Sequence, residues 1–271
     1  MSMSDFIITK YYYSRYIMLR AVNKSEKSFL AFDTNKDEKP FYCPACMGEV
    51  VLKKGNVKIH HFAHKPDASC DYGKGESELH YRTKIEIYES LKQQPNCRKC
   101  EIERHLGTVR PDISLYVNDI PVAIEIQKSN ISIPIIIKRM EEYTKKGIAV
   151  VWVIPAIGPV VKWHYAAAQS LCYPSKWELY LHSLFGNRLY FYYGEDALFP
   201  YKYNNVEISN FFSGCSDVAK KLKKPLSLFR TASISKDFEV VKRPRVNLYD
   251  WDYEFPECLL FRDVSKASDF S

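Results

Sequence analysis

The sequence contains no long hydrophobic run. Its most apolar stretch, Ile148 to Val161, is too short and too interrupted by proline to span a bilayer. The residues from Met1 to Leu19 carry Asp5, Lys10 and Arg15, so they lack the uninterrupted apolar core of a secretory signal. We therefore expect a cytoplasmic protein that makes no contact with membranes.

Strong charge of either sign is also absent. The formal net charge is +7 and the sequence pI is about 8.8. This mild positive excess favours nucleic acid as a partner only slightly, because scattered lysines on solvated faces give the same balance. The length of 271 residues allows one large domain or two smaller ones with a substantial core.

The eight cysteines do not form the pattern of a disulfide framework. In a cytoplasmic protein they stay reduced. Four of them form two C-x2-C pairs, Cys43/Cys46 and Cys97/Cys100, a spacing that indicates either metal binding or coincidence. The second pair has no further pair nearby to complete four ligands, so we interpret it as structural or incidental.

The first pair is followed by side chains of the kind that bind zinc. Cys43 and Cys46 precede His61, His64 and Cys70, and this set supplies enough nitrogen and sulfur ligands for a tetrahedral Zn²⁺. The two histidines are closer together than in a usual zinc finger, so the spacing leaves open whether His61 or Cys70 completes the four. Such a site is closed and structural. The alternative is a reduced cysteine pair with surface histidines.

A hairpin in the middle of the chain carries two acidic residues. Ile113 to Val117 and Val122 to Gln127 alternate between apolar and polar residues on either side of Asn118-Asp119, which predicts two antiparallel strands and a turn. Side chains of a strand point to alternate faces, so Asp112 and Glu125 come to one side of the sheet. Two close carboxylates repel unless a cation lies between them, which indicates a divalent metal such as Mg²⁺. The alternative is a solvated face with two unrelated acids.

A helix is predicted to begin near Gly75 and to end near Gln94-Pro95. Its apolar stripe consists of Leu79, Thr83, Ile87 and Leu91. Glu76, His80 and Lys84 are spaced by four residues and form a second, polar stripe along one side of the helix. The alternative for this stripe is an ordinary ladder of ion pairs on a solvated helix.

Further elements are predicted on both sides of the hairpin. Glu101-Ile102-Glu103 begins a strand that leads toward Arg110, which either pairs with the neighbouring acid or holds a phosphate. After the hairpin, Ile131 to Tyr143 has the periodicity of a helix with Arg139 and Tyr143 on one face. Ile148 to Ile154 is β-branched and apolar throughout, which predicts a strand buried on both sides.

The residues after Pro155 are harder to interpret. Tyr180-Leu181, Leu189 to Tyr193 and Tyr201 to Ile208 have the composition of short strands, and Ser216 to Leu222 that of a helix. Four lysines near the end of this helix form a basic cluster, which is a weak signal for phosphate binding because basic helix ends are usually just solvated: Lys220, Lys221, Lys223 and Lys224.

Several stretches, taken in order, resemble the competence protein CoiA-like family of the PD-(D/E)XK nuclease superfamily. They are Tyr42-Cys43-Pro44-Ala45-Cys46, His61-Phe62-Ala63-His64, Glu76-Ser77-Glu78-Leu79-His80 with Lys84, Arg110-Pro111-Asp112-Ile113, Ala123-Ile124-Glu125-Ile126-Gln127 with Ser129, Arg139 and Tyr143, and Val151-Trp152-Val153-Ile154. The resemblance covers roughly residues 17 to 155 and does not extend to the rest of the chain.

The resemblance implies an α/β (α+β) fold with a nuclease-like α/β/α core, an N-terminal zinc-binding module and a C-terminal extension. It implies that Asp112 and Glu125 hold Mg²⁺ or Mn²⁺ and that Gln127 stands where a lysine is more usual. A glutamine amide can position water but cannot supply charge or take up a proton. The further residues expected to take part in catalysis are Glu76, His80 and Lys84, and those expected to face the substrate are Arg110, Arg139 and Tyr143.

Three regions and one function follow from these interpretations. We predict a zinc-binding module over residues 1–72, a nuclease core over 73–156 and a mixed region of unknown role over 157–271. The expected activity is metal-dependent hydrolysis of DNA in competence, recombination or defence against foreign DNA, with RNA as the alternative substrate. The competing hypotheses are a nucleic-acid-binding protein that keeps the fold without cleaving, and a structural partner in a larger complex. The sequence leaves open a homo-oligomer or a protein partner.

Overall fold

The computed structural model describes residues 17–56, 58–65, 69–73, 76–155, 174–192, 194, 197–205, 223–227, 231–247 and 253–264. These residues form a mixed fold of helices and strands, which confirms the predicted fold class. The chain divides into two compact units, residues 1–81 and 82–271. The division falls within helix α1 (Glu78–Lys92), which begins in the first unit and ends in the second.

The N-terminal unit is built on an antiparallel sheet of short strands. Its strands are β1 (Arg20–Val22), β2 (Ser28–Leu30), β3 (Phe41–Tyr42), β4 (Glu49–Lys53) and β5 (His61–His64). Their spatial order is β2-β1-β3-β4-β5. Alternation along β4 buries Val50 and Leu52 on one face, where they join a core that includes Phe29, Phe41 and Phe62.

Residues 6 to 33 alternate irregularly around a polar turn at Asn23 to Lys27, which predicts an opening hairpin, and the structure confirms this hairpin for the residues that it describes. Strands β1 and β2 pair in antiparallel register, with Ala21 opposite Phe29. The side-chain oxygen of Asn23 accepts the backbone N–H groups of Ser25 and Lys27 at 3.0 and 2.9 Å, which closes the turn. The earlier part of the predicted hairpin, before residue 17, lies outside the described residues.

The larger unit contains a sheet to which the described residues contribute ten strands. They are β6 (Cys97–Ile102), β7 (Ile113–Val117), β8 (Ile120–Ile126), β9 (Ala149–Pro155), β10 (Leu189–Tyr192), β11 (Ala197–Asn205), β12 (Lys223–Ser227), β13 (Ala232–Ser233), β14 (Phe238–Arg243) and β15 (Cys258–Asp263). The main spatial order is β12-β11-β10-β9-β8-β7-β6. Strand β13 pairs with β11, and β15 pairs with both β9 and β14.

The central hairpin and the strand that follows it form as predicted. Strands β7 and β8 are antiparallel and are joined by Asn118 and Asp119, both of which have positive φ, the conformation that a tight hairpin turn requires. Strand β9 lies parallel to β8, and every one of its residues is buried. A parallel pair needs a long connection, and helix α2 (Ile133–Lys145) provides it.

The helices of the described residues are α1, α2 and α3 (Lys176–Leu184). The predicted helices that contain the polar stripe and Arg139 are confirmed as α1 and α2. Glu76, however, precedes the first helical residue by two positions, so it is not part of the helical stripe. Among the described helices, none has both the length and the apolar character needed to cross a membrane.

Three predictions about secondary structure are wrong. Tyr180-Leu181, predicted as a strand, lies in α3, because Ser175 and Glu178 form a capping box at its start and the buried side chains recur at helical spacing. The strand predicted to begin at Glu101 instead ends at Ile102, as β6. Lys223-Lys224, predicted as a helix end, belongs to strand β12. The helix predicted over residues 216–222, with Lys220 and Lys221, lies outside the described residues.

Candidate functional site

The register of the hairpin places Asp112 and Glu125 opposite each other. Ile113 pairs with Ile124 in antiparallel register. Asp112, the residue before Ile113, therefore lies opposite Glu125, the residue after Ile124. Glu125 is 2% exposed, and the Oδ2 atom of Asp112 accepts the backbone N–H of Ile126 at 2.9 Å. This hydrogen bond holds the aspartate side chain against β8. The predicted convergence of the two carboxylates on one face therefore has a definite structural basis.

Asp112 shares a buried lysine with a second acid. The Nζ atom of Lys84 lies 2.8 Å from Oδ1 of Asp112 and 2.8 Å from Oε1 of Glu103. Lys84 is fully buried and Glu103 is nearly so. The backbone N–H of Glu103 also donates to the backbone oxygen of Asp112 at 3.0 Å. Helix α1 is thus joined to the hairpin through an ion-paired lysine rather than a solvated one.

Glu125 has its own cationic and hydrogen-bonding partners, both from α2. The guanidinium of Arg139 and the hydroxyl of Tyr143 donate to Oε1 of Glu125. Arg139 also donates to the backbone oxygen of Arg110 at 3.2 Å. Burial and the nearby Glu125 charge raise the pKa of Tyr143, so its hydroxyl keeps its proton and stays a donor. Burial alone would lower the pKa of Arg139, but Glu125 and Tyr143 outweigh it and raise that pKa.

The charges of this group suit a divalent cation. Lys84 pairs with two carboxylates, those of Glu103 and Asp112, and Arg139 pairs with a third, that of Glu125. Burial raises the pKa of Glu125; the Arg139 charge opposes this, and the Asp112 charge adds to it. A raised carboxyl pKa means that protonation stabilises the metal-free fold and that this stability is lost as the pH rises through that pKa. A divalent cation relieves the same repulsion without a proton, and oxygen ligands are those that Mg²⁺ and Mn²⁺ prefer.

The remaining predicted residues occupy different positions. Gln127 follows β8, and its amide nitrogen donates to the backbone oxygen of Ser129 at 2.5 Å. Since that oxygen can only accept, the amide oxygen of Gln127 points the other way and is available as an acceptor. In the N-terminal unit, Nδ1 of His80 lies 4.0 Å from a carboxylate oxygen of Glu76, and both side chains are mostly buried. Arg110 is half-buried.

A second group of ligands lies within the N-terminal unit. Single donor atoms of Cys43, Cys46, His64 and Cys70 all lie within 4.8 Å of one another. Cys43 follows β3 and is buried, Cys46 ends a tight turn, and His64 ends β5. The turn is closed by a hydrogen bond from the N–H of Met47 to the backbone oxygen of Cys43 at 2.9 Å. The C-x2-C pair Cys43/Cys46 therefore lies in a tight turn beside the other two ligands.

The dimensions of this group fit a tetrahedral zinc ion. The Sγ atoms of Cys43 and Cys70 are 3.9 Å apart, and Sγ of Cys46 is 3.3 Å from Nε2 of His64. Ordinary zinc bond lengths give tetrahedral edges of roughly 3.8 Å between two sulfurs and roughly 3.6 Å between sulfur and nitrogen. A Cβ atom at Gly48 would lie 3.2 Å from Sγ of Cys46, so the absence of a side chain there helps to keep room for the sulfur.

The thiols of this group also show why a cation would stabilise it. Burial, together with the neighbouring Cys46, raises the pKa of Cys43 to about 12. Burial also disfavours the thiolate of Cys46, but the backbone N–H of Gly48 and the other thiols outweigh it and lower the pKa of that residue. Thiolates are the metal-binding form of cysteine, and a bound cation removes the repulsion between them.

The spacing leaves open whether His61 or Cys70 completes the group, and the two residues differ in their geometry. Cys70 contributes its sulfur to the group, whereas Nδ1 of His61 lies 2.8 Å from the backbone oxygen of Ile59. His61 begins the same short strand that His64 ends, and because they are three residues apart the alternation of side chains directs them to opposite faces. Cys97 and Cys100 form no disulfide and lie on β6, outside this group.

Sequence reasoning missed Glu103 as a member of the site. It was considered only as part of a predicted strand, whereas it follows β6 with a positive φ of 51° and pairs with Lys84. The sequence contained one usable signal, an acid close before Arg110-Pro111-Asp112. Nothing local distinguishes Glu103 from Glu101, which pairs with Arg104 and stays half-exposed.

The fold and the two side-chain groups define a nuclease-like α/β protein with a Cys₃His module. The family model described as "Competence protein CoiA, nuclease-like domain" matches residues 76–217, and the one described as "Competence protein CoiA, N-terminal domain" matches residues 24–73. The first of these spans more than half of the chain. The chain therefore belongs to the competence protein CoiA family, which confirms the resemblance found in the sequence.

One curated relative shows how far this kinship extends. The competence protein CoiA of Bacillus subtilis (strain 168) is 35% identical over 118 residues, which are 42% of this chain and 31% of that protein. The chain thus matches less than a third of the length of this relative. No solved structure matches the chain.

We expect Cys70 rather than His61 to be required for zinc binding. Purified Cys70→Ser protein should lose most of its bound zinc, because three donors hold a structural ion far less tightly than four. His61→Gln protein should keep about one zinc per chain. Inductively coupled plasma mass spectrometry of dialysed protein measures this, with Cys97→Ser as the control for loss of a thiol elsewhere. Loss of zinc from His61→Gln but not from Cys70→Ser would contradict the assignment.

Proposed function

We propose that the chain is a metal-dependent nuclease that hydrolyses phosphodiester bonds of DNA, with RNA as the alternative substrate. The observation that carries this proposal is the pair of opposed, largely buried carboxylates, Asp112 and Glu125, in a nuclease-like unit. A nuclease-like domain in a competence protein family also makes nucleic acid the expected substrate.

The residues of the proposed site have different roles in the reaction. Asp112 and Glu125 would hold Mg²⁺ or Mn²⁺, which lowers the pKa of a bound water and neutralises charge on the phosphate when it is present. Tyr143 and Arg139 keep Glu125 oriented by donating to one of its oxygens, so the other oxygen remains for a ligand. Gln127 has a free amide oxygen that can accept a hydrogen bond from the attacking water.

Lys84 is best described as a positioning residue. Its ammonium group is completely buried and lies 2.8 Å from both Glu103 and Asp112, which supports a role toward these acids rather than toward the substrate. It therefore fixes the aspartate that holds the metal. Its charge also lowers the repulsion between the acids while the metal is absent. Glu76 and His80 stay predicted members of the catalytic site on the strength of the family motif.

The Cys₃His group has a separate task. We assign it a structural Zn²⁺, since it offers four donors and no open position for substrate. Strands of two to five residues bury little apolar surface on their own. A metal that crosslinks the turn after β3, the end of β5 and Cys70 would stabilise this unit directly.

The alternative is a nucleic-acid-binding protein that no longer cleaves. Two observations favour it. Asp112 and Glu125 are each already paired with a cationic side chain, and Gln127 replaces the usual lysine. The experiments below separate the two functions, because a protein that only binds gives salt-sensitive DNA binding without metal-dependent cleavage.

The first experiment tests cleavage directly. Asp112→Asn should lower the rate of Mn²⁺-dependent cleavage of linear DNA by about a hundredfold or more, because a metal ligand is lost and metal catalysis is worth several kcal/mol. Asp119→Asn is a matched control, since Asp119 lies on the same hairpin but is exposed at the turn and pairs only with Arg98 there. Cleavage that survives Asp112→Asn would refute this site.

The second experiment tests the carboxylates through pH. Isothermal titration with Mn²⁺ should give an affinity that increases as the pH rises through the raised pKa of Glu125, because proton and ion compete for the same carboxylate. Glu125→Gln should weaken Mn²⁺ binding and flatten this pH dependence, whereas Asp119→Asn should behave as the unmodified chain. An affinity that does not change with pH in the unmodified chain would count against the ion at Glu125.

The third experiment separates positioning from simple stability at Lys84. Lys84→Met alone should lower the free energy of unfolding by about 3–5 kcal/mol, because it leaves two buried acids without their cation. The double variant Lys84→Met/Glu103→Gln removes one of those acids and should recover much of the stability. We expect its Mn²⁺ affinity and cleavage rate to stay low, because Asp112 keeps its hydrogen bond from Ile126 but loses the lysine that positions its other oxygen. Full recovery of both with stability would show that Lys84 is only structural.

A further inference from the structure

A groove in the N-terminal unit is lined by lysines on two sides. It has a volume of about 680 Å³ and lies between the segment before β3 and the loop that joins β4 to β5. Lys36 and Lys39 come from the first segment, and Lys53, Lys54 and Lys58 come from the end of β4 and the loop. We call this the lysine-lined groove. It contains none of the four residues of the Cys₃His group.

The floor of the groove is a stretch of β4 that extends beyond its pairing with β3. Strand β3 pairs with β4 through two residues only, so β4 extends beyond it from Val51 to Lys53. Pro40 precedes β3, lines the groove and has no backbone N–H with which the pairing could continue. Val51 is 41% exposed here, although it is a β-branched apolar residue in a strand. The groove thus has a short apolar floor between two rims that carry positive charge.

The five lysines give this groove more positive than negative charge. Within the described part of the chain, the structure shows no ion pair and no hydrogen bond for the ammonium groups of these lysines. Two acids also line the groove, Asp37 and Glu49, and Glu49 already pairs with Lys65 at 2.9 Å. Positive charge that lines a concavity raises the local concentration of anions, so this groove suits an anionic ligand.

We propose that the lysine-lined groove binds the phosphate backbone of a single nucleic acid strand. Lysines on both rims can contact phosphates from two sides, and each contact releases condensed counterions. The apolar floor can contact sugars and bases without reading their sequence. A concavity of this size accepts one chain, whereas a duplex can only lie across its rims. The inference rests on the proposed function in that the nuclease-like unit gives the strand a reason to be bound.

The first test compares the salt dependence of binding between two triple variants. Both are made in the Asp112→Asn chain, without added Mg²⁺ or Mn²⁺, so the strand is not cut. The groove variant is Lys39→Ala/Lys53→Ala/Lys58→Ala, and the matched control removes three exposed lysines outside the groove: Lys24, Lys176 and Lys236. Fluorescence anisotropy with a labelled oligothymidine gives the dissociation constant at several salt concentrations.

We expect the groove variant alone to lose affinity. Removing three phosphate contacts should reduce the slope of log affinity against log salt by about two and weaken binding by about tenfold at low salt. Equal losses in the two triple variants would mean that only net charge matters and would overturn the proposal. An unchanged slope in the groove variant would do the same. The zinc content of each variant shows whether the unit is still folded.

A second test needs no substitution at the groove. The rate of lysine acetylation, read by peptide mass spectrometry, should fall at the five groove lysines when oligothymidine is added. Matched duplex DNA should protect them less, and equal protection would overturn the assignment to a single strand. Polyglutamate that protects them as well and displaces the oligothymidine would show a site for acidic peptides instead. Because binding is measured without cleavage, an inactive nuclease site would leave this result unchanged.

Discussion

Two carboxylates that face each other across a buried hairpin constrain the whole nuclease-like unit. Their positions follow from the alternation of side chains along two paired strands, and a shift of the register by one residue would send one of them to the other face. Once both are buried, their charge must be met by cations, protons or a metal. Lys84 and Arg139 meet part of it, and carboxylate oxygens are ligands of the kind that a divalent ion prefers.

This demand for positive charge links elements that are distant in the sequence. Helix α1 provides Lys84, the segment after β6 provides Glu103, and α2 provides Arg139 and Tyr143. Each of these side chains is buried or partly buried and hydrogen-bonded, so loss of one leaves an unpaired charge rather than a solvated surface. The same contacts that stabilise the unit therefore orient the carboxylates, and a substitution at the site affects both stability and any chemistry performed there.

The N-terminal unit is constrained by the shortness of its strands. Its strands are too short to provide a large apolar core, and its ligand group is tied to the turn after β3 and the end of β5. The shortness of β3 also leaves part of β4 uncovered, which creates the lysine-lined groove. A unit organised by a small crosslinking site can thus present a charged concavity without burying it.

Several elements could be predicted from the sequence because their signals lie within short stretches of the chain. The hairpin, α2 and the parallel strand β9 follow from periodicity and turn residues, and the pairing of Asp112 with Glu125 follows from strand alternation. Helix α3 was missed because its aromatic residues are also typical of a short strand, while its capping box, Ser175 with Glu178, was not used as a signal. The long-range contacts are visible only in the folded chain, namely Cys70 rather than His61 beside Cys43, Cys46 and His64, and Glu103 as a partner of Lys84. These contacts depend on which segments, distant in the sequence, pack together in space. The spacing of residues along the chain does not show which segments these are.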